Sequence, residues 1–174
     1  MSEQKRRLCK CKIGKDDNGR VVVVIKYEMP DSTGDFTKVE IENHDGPHPD
    51  LKAALSAMIP YLRENAELPA NWTLDVISCT ITHKHEIQGL VITGRRELEN
   101  SNAPLILNTP HFTRESYNEE DDSGVGVFSS ACGEAIDVLE REAIAYVDGK
   151  REQLELPFEN DKTQQSELPL AVSQ

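Results

Sequence analysis

The chain has 174 residues, of which 37% are hydrophobic and 5% aromatic, and it carries a formal net charge of −12. That length suffices for one domain with a sizeable core plus an appendage, and the modest apolar share leaves part of the chain outside that core. A body this acidic repels phosphate, which argues against a general DNA coat, and no apolar run approaches membrane-spanning length.

The charge is unevenly spread. Residues 1–20 hold seven cations against three carboxylates, whereas Glu115–Asp122 holds five carboxylates and the stretch from Arg151 has two cations against five anions. A basic arm formed by Lys5, Arg6, Arg7, Lys10 and Lys12 is therefore the part of the chain suited to touching nucleic-acid phosphate, and a solvated terminus is the simpler account of it. The cysteines at 9, 11, 79 and 132 form no Cys-x-x-Cys pair. Free thiols and an N-terminus without a hydrophobic signal region lead to the expectation of a cytoplasmic protein.

The first regular element expected is a strand over Val21–Met29, dense in β-branched residues and preceded by the turn Asp16-Asp17-Asn18-Gly19. Phe36–Asn43 alternates polar and apolar residues and pairs with it through a turn at 32–34. His48-Pro49-Asp50 then opens a helix to about Glu67, with Leu51, Leu55, Met58 and Leu62 on one face and a kink or break at Pro60.

Trp72–His83 and Ile87–Leu98 read as strands joined by the polar turn Lys84–Glu86. Strict alternation places Ile77, Cys79 and Ile81 on one face of the first, and Leu74, Val76 and Ser78 on the other. A short strand follows at Leu105–Asn108. The acidic, glycine-containing segment 113–127 reads as a mobile loop. A second helix from Ser129 to about Gly149 shows Ile136, Leu139, Ala143 and Tyr146 on one face, with Gly149 as C-cap. The sum is an α+β domain over about 8–149: an antiparallel sheet of about five strands with two helices on one face. A basic arm precedes it at 1–7, and a disordered tail follows at 150–174.

Signals for catalysis are sparse. Asp75 followed by Glu86-Ile87-Gln88 faintly resembles the metal-holding carboxylates of restriction-like nucleases, with Gln88 where a lysine is usual. A metal-dependent nuclease using Asp75 and Glu86 is the alternative this implies. His83-Lys84-His85-Glu86 places two imidazoles at a strand end without further ligands at a supporting spacing. Cys132 stands where a helix N-terminus activates a thiol, but no histidine partner is evident. No glycine-rich phosphate loop is present, and no cofactor is implied.

The polar tail contains one apolar hexapeptide twice. Gln153-Leu154-Glu155-Leu156-Pro157-Phe158 is followed by Gln165-Ser166-Glu167-Leu168-Pro169-Leu170. Both resemble the hexapeptide by which bacterial proteins dock on the β sliding clamp of the replisome. The first fills every slot of that pattern; the second has Ser166 where leucine is usual, which makes it the weaker copy. The resemblance implies partner-binding roles for Gln153, Leu154, Leu156, Pro157 and Phe158, and for Gln165, Leu168, Pro169 and Leu170. In such motifs glutamine takes a polar subsite, and the leucine and terminal Leu or Phe enter an apolar pocket.

Burying two such side chains contributes roughly 3–6 kcal/mol gross. Ordering the peptide offsets part of this, so micromolar-range affinity is expected. The twelve-residue offset between the copies spans at most about 40–43 Å, which favours rebinding at one pocket over bridging two. The expectation is a non-enzymatic DNA replication or recombination accessory protein, of the kind found in phages, prophages and plasmids. Its partners would be the clamp and either DNA or a replication or recombination enzyme, with no membrane. A phage-encoded inhibitor that blocks the clamp pocket is a further alternative.

Overall fold

The computed structural model describes residues 5–117, 120 and 123–152. Seven strands form one antiparallel sheet: β1 (Arg7–Lys15), β2 (Val21–Pro30), β3 (Phe36–Asn43), β4 (Asp75–Lys84), β5 (Ile87–Arg96), β6 (Leu105–Asn108) and β7 (Phe112–Thr113). Helices α1 (Pro49–Ser56), α2 (Ile59–Asn65) and α3 (Ser130–Val147) complete the domain. The strand order is β3-β2-β1-β4-β5-β6, with β7 pairing β5 beside β6. The α+β class with an antiparallel sheet is as expected, but the strand count exceeds the predicted five.

Two successive hairpins build one half of the sheet, and their loops are built alike. Asp16 and Asp31 each accept, through one carboxylate oxygen, from the backbone two and four residues on: Asn18 and Arg20 in the first loop, Thr33 and Asp35 in the second. Each side chain thus replaces the backbone groups a tighter turn would use. The Thr33 hydroxyl, which donates to Asp31 at 2.6 Å, and these backbone hydrogen bonds hold the Asp31 carboxyl below the ordinary aspartate range, and the backbone bonds led by Arg20 N–H do the same at Asp16.

β1 went unread because a bulge breaks its alternation. Leu8 pairs with Tyr27 and Lys10 with Lys26, leaving Cys9 as the extra residue. Leu8 and Cys11 consequently share the core face although three positions separate them. The same device corrects the face assignment on β4. Val76 pairs with Gly94 and Ser78 with Thr93, so Ile77 is extra. Val76, Cys79 and Ile81 all turn toward the core, and Ser78 lies on the other face with Lys12 and Thr93.

All three helices cover that core face. α1 begins at Pro49 with the His48 ring nitrogen accepting from the Asp50 amide at 3.2 Å. Pro60 removes a backbone donor, and the predicted single helix is broken at Ala57–Met58 into α1 and α2. Ile136, Leu139, Ala143 and Tyr146 of α3 are buried against Cys11, Ile25 and Cys79 in one core. The segment predicted as a mobile loop is tied at both ends. Thr113 pairs with Gly89 and bridges Val127, and Arg114 bonds the Gly133 carbonyl and Asp137 at 3.0 and 2.8 Å.

Two substitutions test this packing. Glu67 closes α2 at φ 51, with Leu68 N–H on the Arg63 carbonyl at 2.9 Å and Glu67 N–H on Glu64 at 3.2 Å. A side chain in that left-handed conformation costs roughly 1 kcal/mol. Glu67→Gly is expected to raise the unfolding free energy read from urea titration by up to about that amount; an unchanged or lower value refutes the assignment. Conversely, a Cβ at Gly94 would collide with the Leu62 side chain and approach the Asp75 carbonyl at 3.0 Å. Gly94→Ala is expected to destabilise by about 1–3 kcal/mol in the same measurement.

Candidate functional site

The tail motifs Gln153–Phe158 and Gln165–Leu170 lie outside the described residues, but their root is built in detail. Gly149, at φ 108, ends α3 and reverses the chain: its N–H bonds the Tyr146 carbonyl at 3.1 Å, and Lys150 N–H bonds Ala145 at 2.9 Å. Lys150 then sits between two carboxylates, 2.6 Å from Asp50 on α1 and 2.7 Å from Glu142 on α3. Arg151 forms an antiparallel bridge with the fully buried Pro47 and lies over the Tyr146 ring at 3.6 Å. The Tyr146 hydroxyl donates to the Asp45 carbonyl at 2.8 Å, and Glu152 N–H to Gly46 at 3.1 Å. Residues 150–152, predicted as tail, therefore belong to the fold. Their clasp on the β3–α1 loop pairs positions about a hundred apart in sequence, which no local pattern reveals.

The clasp is electrostatically tuned. Hydrogen bonds from Lys150 hold the Asp50 and Glu142 carboxyls below their ordinary values, and the two carboxylates raise Lys150 in return.

The basic arm is redistributed by the fold. Arg6 makes two hydrogen bonds to Asp148 at 2.7 and 2.6 Å, just past α3, and holds that carboxyl low. Arg7 begins β1, lies 4.3 Å from the Phe36 ring centroid and pairs with Glu86 at 2.9 Å. These two are not free phosphate ligands, and only Lys5 of the described arm is fully exposed ahead of the sheet. Lys10 and Lys12 occupy the helix-free face of β1, opposite Lys26 and Val24 on one side and Thr80 and Ser78 on the other.

On this face Lys26 pairs with Glu40 at 2.9 Å and Lys38 with Glu28 at 3.9 Å, whereas Lys10 and Lys12 make no ion pair among the described residues. A shallow groove of about 660 Å³ runs over Lys10, Lys26, Lys38, Thr80, Thr82 and His83. It offers ammonium and hydroxyl donors with two carboxylates among them, a surface for a polar, mixed-charge strand.

The nuclease pair is not assembled. Asp75 opens β4 and pairs with Arg95, and Glu86 forms the tip of the β4–β5 hairpin. Eleven residues of extended strand separate them, on the order of 30–35 Å. His83 bonds the Leu8 carbonyl at 3.1 Å, while His85 and Glu86 form the two-residue turn, both at positive φ. No group of three or more His, Cys, Asp or Glu among the described residues is placed to hold a metal ion. Burial pushes the Cys132 thiol up to about 12, the opposite of activation at a helix N-terminus. Cys11 is likewise raised to about 12 and Cys9 to about 11, and Cys79 is raised by burial as well. No described helix is long and apolar enough to cross a membrane.

No family model, curated protein or solved structure matches the chain.

The clasp yields a pH signature. Asp50 and Glu142 are depressed, so their contribution is present above the unfolded carboxylate values and is lost as pH falls through the folded ones. Lys150 is raised, so its contribution is present below its unfolded value and is lost only at strongly alkaline pH. Lys150→Met is expected to lower the thermal midpoint at neutral pH, with the difference from wild type shrinking as pH falls below 4. A difference that persists unchanged at pH 3 refutes the ionic account.

Proposed function

We propose that this protein is a non-enzymatic accessory factor of DNA replication or recombination, tethered to the bacterial β sliding clamp by its C-terminal tail. One observation carries the reading: QLELPF begins at the residue directly after Glu152, whose N–H bonds the Gly46 carbonyl, and the same core recurs in QSELPL. A linear docking motif carries its recognition chemistry in consecutive residues, and both copies keep the Gln-x-Glu-Leu-Pro core. The absence of any spacer also means that a clamp bound at Phe158 would lie close to the β3–α1 loop.

The apolar anchors Leu154, Leu156 and Phe158 are the groups with enough surface to drive docking, and Pro157 restricts the free peptide and lowers the cost of ordering it. The helix-free face, with Lys10 and Lys12 beside Ser78 and Thr80, is the part of the domain that would meet DNA or a replication or recombination enzyme once the tail is docked. The wide separation of Asp75 and Glu86 counts against metal-dependent cleavage.

Calorimetric titration of the full chain with purified bacterial clamp tests the tether. Micromolar-range binding is expected for wild type, and Gln153→Ala with Phe158→Ala should weaken it at least roughly tenfold. A chain ending at Glu152 keeps the clasp and should retain the wild-type thermal midpoint while losing binding. Undiminished affinity in that shortened chain, or none in wild type, sinks the proposal.

A further inference from the structure

The two ends of the sheet are unlike. At the β6 end, the outer side of β5 is covered by short pieces: β6 spans four residues, Thr109 exchanges hydrogen bonds with Ile92 at 3.0 Å each way, and β7 adds two residues. At the other end stands β3, eight residues in unbroken register with β2 from Val23–Asn43 to Pro30–Phe36. It contains neither a proline nor a bulge, and nothing among the described residues pairs with its outer side. A long, regular, uncovered edge is a template for another strand. Its apolar side chains are also only partly covered: Val39 and Ile41 are half-buried and Phe36 is 40% exposed, and Met29 of β2, opposite Thr37, is 37% exposed.

The charges along this edge identify the strand it fits. On the helix-free face, Lys26 stands opposite Glu40 and Glu28 opposite Lys38. Placing a second β3 antiparallel to the first, with Val39 opposite Val39, brings Glu40 opposite Lys38 of the second copy and Lys38 opposite its Glu40. Each row then runs Lys26, Glu40, Lys38, Glu28 across the junction, alternating in sign without a mismatch. On the covered face the same register continues Tyr27 and Val39 into Val39 and Tyr27, and Ile25 and Ile41 into Thr37 and Met29. Shifting the partner by two residues would set Glu40 against Glu40 in one direction and Lys38 against Lys38 in the other, so the register centred on Val39 is the one of these three without a like-charge pair at its centre.

We propose that the protein forms a two-fold dimer through antiparallel pairing of β3 with β3 of a second copy, centred on Val39, giving one continuous sheet through both molecules. The contact is isologous, as a closed pair requires. It also places two tails on one particle, with a root on each domain, so two clamp pockets become reachable without a single tail having to span them. The dimer stands on the edge geometry alone, and the sliding clamp is absent from its test.

Sedimentation equilibrium of the full chain is expected to give twice 19.5 kDa, the mass of one chain. Lys38→Glu puts a carboxylate at both paired positions of the junction, and Glu40→Lys puts an ammonium at both. Each variant alone should have its dimer dissociation constant raised roughly tenfold or more. Mixed in equal amounts, the two restore both opposite-charge pairs and should recover the double mass. That recovery also shows that neither variant was merely unfolded. Wild type at single-chain mass across the accessible concentration range overturns the proposal. So does either variant associating as tightly as wild type, or a mixture that stays at single-chain mass.

Discussion

The architecture hangs on a seam three residue pairs long. Lys10–Lys12 of β1 meet Ser78–Thr80 of β4, and among the described residues this is the only strand pairing between the β3-β2-β1 half of the sheet and the β4-β5-β6 half. A bulge bounds it at each end, Cys9 on β1 and Ile77 on β4. Bulges strengthen the local twist and end regular pairing, so the ladder stops at these three pairs. At its centre Cys11 opposes Cys79 beneath α3, two small apolar side chains without exposed surface. The helices reinforce what the seam alone holds weakly: α3 packs on β1, α1 on β4, and both contact each other across the join.

Much of this was legible locally. The β-branched run of β2, the turn chemistry at Asp16 and Asp31, the break at Pro60 and the stripe on α3 each depend on neighbours within a few residues. Where reading failed, a bulge or a distant partner was responsible. Leu8, Cys11 and Ile13 do not alternate until Cys9 is counted out, so no strand is legible between the basic arm at 1–7 and the turn at Asp16. Leu74 and Val76 were assigned away from Cys79 and Ile81 for the same reason. Arg6 finds Asp148 and Lys150 finds Asp50 at separations beyond any sequence window. Asp75 and Glu86 misled in the opposite direction: closeness in sequence became distance once the chain between them was extended.

The candidate site divides along the same line. The hexapeptides are readable without a fold because such a motif carries its recognition chemistry in consecutive residues. The clasp beneath them is polar, aperiodic and built from three separate segments, so nothing local announces it. The groove over Lys10 is half legible: Lys10 stands out in a cationic run, but its placement beside Lys26, Lys38, Glu28 and Glu40 depends on strand order. That mixture gives the groove a different preference from the purely cationic track the N-terminal charges alone implied.

The clasp also determines how a pull on the tail enters the domain. Tension applied at residue 153 reaches Glu152 and Arg151 first, and through them the loop carrying Asp45, Gly46 and Pro47 and the last turn of α3. None of these is a strand. The load is therefore divided between a helix end and a loop before it meets β1, and the three-pair seam lies off its direct path. A protein whose tail is held by a moving partner would thus yield first at a polar latch that closes again, leaving its sheet intact.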